Sequence, residues 1–156
     1  MNFDELKALL SDMDLTKILP QSDAIAASIQ AVLRLAVMVG PLVLFGFGLL
    51  YLFAPPKEAN HALGYRFWWG MASLDAWTFT QRVAGIGWSG LGLILTVVMS
   101  IIGNSFKKKA LMDAVYLAGK CLLWQLGLTL AACLIIDVIV VVFFDRDGFR
   151  RQNFEK

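Results

Sequence analysis

The chain has 156 residues, of which 58% are hydrophobic and 17% are charged. A soluble domain is about 45–50% apolar and about one quarter charged, so this composition indicates a membrane protein. The formal net charge of +2 is too small and too dispersed to indicate nucleic-acid binding. One His and two Cys offer almost no ligand set for a metal or haem, and we expect no cofactor.

The first segment of the chain, residues 1–20, places apolar side chains at helical spacing with Asp and Lys between them. This pattern predicts an amphipathic helix that lies on a bilayer surface or packs against a partner helix; a frayed tail is the third alternative. Pro20 is expected to end this helix, and Ser22 or Asp23 to cap the next one. Residues 21–156 then form a separate transmembrane domain.

Three uncharged or nearly uncharged runs follow, over residues 35–54, 83–103 and 121–144. Each reaches the ~20 residues that a helix needs to cross ~30 Å of hydrocarbon. The sequence therefore predicts an all-α membrane protein with three transmembrane helices. The first run is not expected to be a cleaved signal peptide, because a long segment of acidic balance precedes it.

The second predicted span carries small residues along one face. Ser73 is expected to be the N-cap of its helix. The small residues recur at steps of three and four, which predicts a face that another helix can approach closely. These residues are Gly85, Ser89, Gly92 and Thr96.

The third predicted span carries a polar stripe with a period of four residues that includes Gln125, Thr129 and Asp137. Polar groups need partners inside a bilayer, so the stripe should face protein rather than lipid. Asp137 is the one ionisable residue well inside a span. Both a functional carboxylate and a hydrogen-bonded structural carboxylate fit this position.

The distribution of Lys and Arg bears on orientation. Near the span ends, seven lie on the side of the 60–81 connector and the C-terminus, and five lie on the other side. Because cytoplasmic loops of membrane proteins carry an excess of Lys and Arg, this count favours a connector and a C-terminus on the cytoplasmic side. The basic triplet at residues 107–109 argues for the opposite orientation, which leaves the question open.

The connector between the first two spans, residues 60–81, is unusually aromatic. Trp and Tyr favour the headgroup level, where the ring is buried and the N–H or O–H stays hydrated. We interpret the connector as an interfacial segment, in which Arg66 and Arg82 can pair with lipid phosphates or acidic side chains. A plain aromatic belt that anchors two helix ends is the simpler alternative.

The order of residues in this connector resembles the SdpI family of small bacterial integral membrane proteins. In that family an Asn lies four residues before the Gly of a Gly-Tyr-Arg or Gly-Ile-Arg element, and a Ser or Asn, a Trp and a basic or amide residue lead into the next helix. Phe67 departs from the family pattern, which usually has Thr at that position. The positions that match are Asn60, Gly64, Tyr65, Arg66, Ser73 and Trp77, with Gln81 after them.

The resemblance implies a multi-pass protein of the bacterial cytoplasmic membrane. The founding member of the family gives immunity to a secreted antimicrobial peptide and holds a transcriptional repressor at the membrane. In this chain Gly64 would allow a tight turn with positive φ, Asn60 would cap that turn, and Tyr65 and Trp77 would hold Arg66 near the headgroups. We call these residues the corner: Asn60, Gly64, Tyr65, Arg66, Ser73 and Trp77. The corner can define the fold or bind a ligand, and both interpretations remain open.

Three functions fit these patterns. The first is an immunity or sensor protein that engages membrane lipids, a toxin peptide or a regulatory protein. The second is a structural subunit of a homo-oligomeric or hetero-oligomeric membrane complex. The third, a channel or proton-coupled carrier, depends on Asp137 alone. We do not expect an enzyme, because the sequence has no nucleophile–His set and no phosphate-binding glycine loop.

Overall fold

Three long helices make up most of the structure. The computed structural model describes residues 15–59 and 63–151. Helix α1 spans Leu15–Phe53, α2 spans Leu74–Ser105 and α3 spans Leu111–Phe143. Short 3-10 turns lie at Trp69–Met71 and Phe106–Lys108. No β-strand occurs in the described residues, and the predicted all-α architecture with three membrane-length helices is confirmed.

Each helix is longer than the apolar run that predicted it. Helix α2 has 32 residues, which at 1.5 Å per residue gives about 48 Å. The hydrocarbon core of a bilayer is only about 30 Å thick, so about 9 Å at each end of a centred helix lies among the headgroups. The segments that are long and apolar enough to cross a membrane are Asp23–Phe53, Leu74–Lys108 and Leu111–Phe143.

The predicted helix break at Pro20 is wrong. Helix α1 continues through Pro20, and Ser22 and Asp23 lie within it rather than at its start. A proline is compatible with helical φ and removes a single N–H donor, so the loss of one hydrogen bond does not end this helix. The predicted amphipathic segment falls mainly on residues 1–14, which lie outside the described residues.

Helices α1 and α2 approach each other closely through glycines. A methyl group added to Gly48 would overlap the backbone of Ser89. A methyl group added to Gly92 would lie 2.5 Å from the backbone nitrogen of Phe45. The two backbones therefore meet without an intervening side chain, which strengthens dispersion contacts where lipid offers no hydrophobic driving force.

Helix α3 closes the bundle against α1 and α2. Two buried clusters mark the contact, one at each end of the bundle. The first contains Val37, Leu95, Met99, Phe106, Ala114, Ala118 and Cys121, and the second contains Tyr51, Ala84 and Ile136. Many other apolar side chains of the three helices are exposed, as expected where lipid is the solvent.

The bundle has two ends, which we call the connector end and the lysine end. The connector end holds residues 54–59, 63–73 and 144–151, and the lysine end holds the turn between α2 and α3. At the lysine end the Nε2 of Gln30 donates to the carbonyl of Lys109 at 3.0 Å. The part of α1 before Gln30 extends past this turn by about 22 Å at 1.5 Å per residue, and Ile25 within it is exposed.

Candidate functional site

The connector end begins from the N-terminus of α2. Ser73 is the N-cap, and its hydroxyl accepts from the backbone N–H of Ala76 at 3.0 Å. The same hydroxyl donates to the carbonyl of Gly148 at 2.7 Å, which ties the chain after α3 to the start of α2. The predicted N-cap is therefore confirmed, and it has a second role as a link between two segments of the connector end.

Gln81 holds the backbone of the corner in place. Its Oε1 accepts from the N–H of Tyr65 at 2.8 Å, and its Nε2 donates to the carbonyl of the same residue at 3.0 Å. The Gln81 side chain is fully buried. The amide of Gln81 thus pairs with the N–H and the carbonyl of Tyr65 as the backbone of a neighbouring strand would. The backbone polar groups of Tyr65 are therefore satisfied although the connector has no regular secondary structure there.

Gly64 and Trp77 fit against each other. Gly64 has a φ of 121°, which L side chains rarely adopt. A methyl group added there would lie 2.5 Å from Cη2 of Trp77. The indole N–H of Trp77 donates to the carbonyl of Pro56 at 2.8 Å. Trp77 was expected among the headgroups, but it is completely buried, because the connector folds over it and supplies the acceptor that water would supply at a surface.

Tyr65 connects the corner to α3. Its hydroxyl lies 2.8 Å from Oδ1 of Asp137 and 3.1 Å from the carbonyl of Cys133, and it donates to both. Its ring packs edge-on against Trp88, with 5.5 Å between the ring centroids. Burial, reinforced by the hydrogen bond to Asp137, raises the pKa of the Tyr65 hydroxyl above its ordinary value. The hydroxyl therefore stays protonated and acts as a donor.

The outer side of the corner faces the surroundings of the protein. Arg66 is exposed, and Trp68 is 83% exposed. Both line a hollow of ≈ 460 Å³ together with Met71 and Ala72. Asn60, the first residue of the family-like pattern, lies outside the described residues. The corner thus has an inner side that is bonded into the fold and an outer side on which Arg66 and Trp68 are exposed.

Gln125 lies in the interior of the bundle, about 18 Å along α3 from Asp137. Its Nε2 donates to the carbonyl of Val37 on α1 at 3.0 Å. Val37 lies four residues before Pro41, which has no N–H, so its carbonyl lacks the usual helical donor. Gly40 leaves space for the amide, since a methyl group there would lie 3.1 Å from Oε1 of Gln125. The glutamine therefore replaces the hydrogen bond that the proline removes.

Thr129 lies one turn further along α3 and lines a groove of ≈ 520 Å³. The groove is lined by all three helices, and its walls are mostly apolar. Among its lining residues are Gly40, Pro41, Phe47, Tyr51, Trp88 and Leu122. The polar stripe predicted from the sequence is thus divided between two places, with Gln125 and Thr129 at the groove and Asp137 at the corner.

The predicted packing face of α2 lies against α1. A methyl group added to Gly85 would lie 3.0 Å from the backbone nitrogen of Leu52, and Ser89 and Gly92 meet α1 in the next two turns. Thr96 donates from its hydroxyl to the carbonyl of Gly92 at 2.7 Å. Its polar group is therefore satisfied within its own helix.

Sequence reasoning did not single out several residues on which this site depends. Gln81 was noted only as part of the family-like pattern, and its burial was not foreseen. Gly48 on α1 is the partner of the α2 packing face, and the spacing of glycines near it was the available signal. Pro56 supplies an acceptor for Trp77, which no local pattern in the sequence indicates.

Together these features define a multi-pass helical membrane protein in which an interfacial corner locks the first two helices to the third. The model of the SdpI/YfhL protein family matches residues 57–144, which is more than half of the chain. The chain therefore belongs to the SdpI/YfhL family. A search of curated proteins and a search of solved structures found no match.

Proposed function

We propose that this chain is a non-catalytic protein of the bacterial cytoplasmic membrane that binds a membrane-active peptide and thereby gives immunity to it or reports its presence. The observation that carries the proposal is the outer side of the corner, where exposed Arg66 and Trp68 border a hollow of ≈ 460 Å³. The founding member of the family has this kind of function. The likeness supports the class of ligand, a peptide that acts on membranes.

The physical support comes from how the corner is built. Gln81, Gly64 and Trp77 fix the backbone from the inside, so little conformational entropy is lost when a ligand contacts the outer side. Trp and Arg are the residues that most often dominate binding energy at interfaces. An amphipathic peptide that enters the membrane places apolar and polar groups at this same depth, where an exposed indole and a guanidinium can meet both.

The proposal includes the surroundings in which the protein acts. Its partners are membrane lipids, the peptide and, for signalling, a regulatory protein at the cytoplasmic face. It needs no cofactor and no nucleic acid. A homo-oligomer is compatible with the large exposed apolar surface of the helices.

The experiment is a protection assay in a sensitive bacterium that expresses the full chain. A panel of membrane-active peptides, including those encoded beside the gene, is tested against wild type and the Trp68→Ala and Arg66→Gln variants. Trp124→Ala is the matched control, because Trp124 is 69% exposed on α3 and remote from the corner. We expect protection by wild type and by the control, and loss of protection in both corner variants. Unchanged sensitivity across the whole panel would overturn the proposal.

A second candidate function is a structural subunit of a larger membrane complex. The observation that favours it is the part of α1 before Gln30, which extends past the turn between α2 and α3 and exposes Ile25. Such a helix can pack against a partner outside the bilayer. Native mass spectrometry of gently extracted protein tests this candidate. Co-purification of a stoichiometric partner would support it, and a monomer without partners would count against it.

A further inference from the structure

The chain after α3 folds back in a built turn. Oδ1 of Asp145 accepts from the N–H groups of Asp147 and Phe149, at 3.1 Å and 2.7 Å. Gly148 has a φ of 78°. An isolated antiparallel bridge then pairs Phe144 with Arg150. This turn places Arg150 beside the first turns of α2.

A pocket of ≈ 480 Å³ lies between this turn and α2. Arg82 and Arg150 supply two guanidinium groups, and Asp75 supplies one carboxylate. Phe79 forms an apolar wall, since its ring packs against Phe144 at 5.3 Å between centroids. Leu74 and Thr78 complete the lining.

The charges of this pocket favour an anion. The guanidinium groups outnumber the carboxylate, and no carboxylate among the described residues lies within ion-pair distance of Arg82 or Arg150. A guanidinium fits phosphate oxygens with two parallel hydrogen bonds, and a pair of them fits a phosphodiester better than a single lysine does. Asp75 accepts hydrogen bonds, so a ligand that also carries hydroxyl groups fits better than a bare phosphate.

The depth of the pocket favours a lipid. Arg82 lies eight residues after Leu74, or about 12 Å along the axis, while about 9 Å of α2 lies among the headgroups when the helix is centred. The Cα of Arg82 then lies about 3 Å inside the hydrocarbon boundary, and its long side chain, which points toward the N-terminus of the helix, reaches back to the level of the lipid phosphates. Phe79, about 7.5 Å along the axis, places the apolar wall close to the boundary where the acyl chains begin. Basic pockets between transmembrane helices bind anionic headgroups for this reason.

We propose that this pocket binds the headgroup of an anionic phospholipid of the phosphatidylglycerol type. Arg82 and Arg150 hold the phosphate, Asp75 accepts from the headgroup hydroxyls, and the ring of Phe79 contacts the start of an acyl chain. This pocket shares no lining residue with the hollow beside Trp68. Lipid binding here therefore does not depend on whether that hollow binds a peptide.

The test is native mass spectrometry of the full chain, released from vesicles that contain phosphatidylglycerol and phosphatidylcholine in equal amounts. We expect wild type to retain phosphatidylglycerol, and Arg82→Gln/Arg150→Gln to lose that retention by at least about tenfold. The control is Lys107→Gln/Lys108→Gln, which removes the same charge at the lysine end and should retain the lipid as wild type does. Equal retention by wild type and the Arg82→Gln/Arg150→Gln variant would overturn the proposal, and so would equal loss in both variants.

Two further measurements keep the proposal falsifiable. If the Arg82→Gln/Arg150→Gln variant does not fold, Arg82→Lys/Arg150→Lys keeps the charge and should bind the lipid more weakly than wild type, because a lysine makes no bidentate contact. Free glycerol phosphate is added as a competitor to identify the source of the phosphate. Displacement of the lipid only at a large excess supports a lipid site, and displacement at equal concentration would overturn it.

Discussion

The side-chain amide of Gln125 donates to the backbone carbonyl of Val37, which lies 88 residues earlier in the sequence. This carbonyl is the one that Pro41 leaves without a helical donor. The hydrogen bond therefore accounts for three features together, a proline within a transmembrane helix, a glutamine within another, and the glycine at position 40 that gives the amide its space. It also joins α3 to α1 in the interior of the bundle.

Gln125→Leu should lower the free energy of unfolding. The substitution leaves the Val37 carbonyl unpaired inside the bundle, and we expect a loss of about 1–2 kcal/mol. Equilibrium unfolding of the full chain in mixed detergent with increasing SDS measures this loss, and helical circular dichroism follows it. An unchanged midpoint would mean that the hydrogen bond adds no stability.

Pro41→Ala provides a sharper test of the same relationship. It restores an N–H that can donate to the Val37 carbonyl within α1, so the amide of Gln125 is no longer the necessary donor. We expect Gln125→Leu to cost clearly less in the Pro41→Ala background than in wild type. The same cost in both backgrounds would show that Gln125 does not replace the hydrogen bond removed by Pro41.

The contact between α1 and α2 predicts different effects for two glycines of one helix turn. Gly48→Ala would place a methyl group into the backbone of Ser89, and overpacking of this kind costs about 1–3 kcal/mol. A methyl group added to Gly46 meets nothing within 4 Å, so Gly46→Ala should be neutral or stabilising by up to about 1 kcal/mol. Unfolding in SDS measures the stability of both variants. Equal stability of Gly48→Ala and Gly46→Ala would argue against close contact between α1 and α2.

Gly64→Ala should be strongly destabilising. The substitution forces an unfavourable φ and a clash with Trp77, and we expect a cost of about 2 kcal/mol or more. Gly90→Ala is the control, because a methyl group there meets nothing within 4 Å. The tryptophan fluorescence of the protein, to which the buried Trp77 contributes, should change in the first variant and stay as in wild type in the second. Normal expression and spectra for Gly64→Ala would contradict the packing described for the corner.

Tyr65→Phe should loosen the contact between the corner and α3. The variant keeps the ring and removes the hydroxyl that donates to Asp137 and Cys133, which we expect to cost about 1–2 kcal/mol. Asp137→Asn keeps an acceptor for the hydroxyl and should cost less. Thermal unfolding in detergent compares the stability of the two variants. A larger loss for Asp137→Asn than for Tyr65→Phe would show that the carboxylate stabilises the protein by more than accepting the hydrogen bond from Tyr65.

The same hydroxyl predicts a pH dependence. Its pKa is higher in the folded protein than the ordinary value of 10.0. Its contribution to stability is therefore complete below pH 10.0 and decreases as the pH rises above that value toward the folded-state pKa. We expect the stability of wild type to fall more steeply above this pH than that of Tyr65→Phe. Parallel curves would mean that the hydroxyl has no part in the alkaline loss.

The sequence by itself determined the helical, membrane-spanning character of the protein. The length of the apolar runs, the cap at Ser73 and the spacing of the corner residues depend on neighbours in the chain, and local patterns report such features well. The continuation of α1 through Pro20 was missed. A proline locally predicts a helix end, but the hydrogen bond that it removes is a small loss compared with the hydrogen bonds that the rest of a long helix keeps.

Only the tertiary structure decided which partner each polar and aromatic group has. Trp77 was expected at the membrane surface and is buried beneath the connector, and Asp137 meets Tyr65 across 72 residues of sequence. Gln125 was predicted to face protein, but its acceptor on α1 was not. Such pairs depend on the rotation and register of packed helices, which arise from the fit of many side chains at once. Helical periodicity indicates which face of a helix is polar. The packing of the helices determines which donor or acceptor on a neighbouring segment each polar side chain on that face contacts.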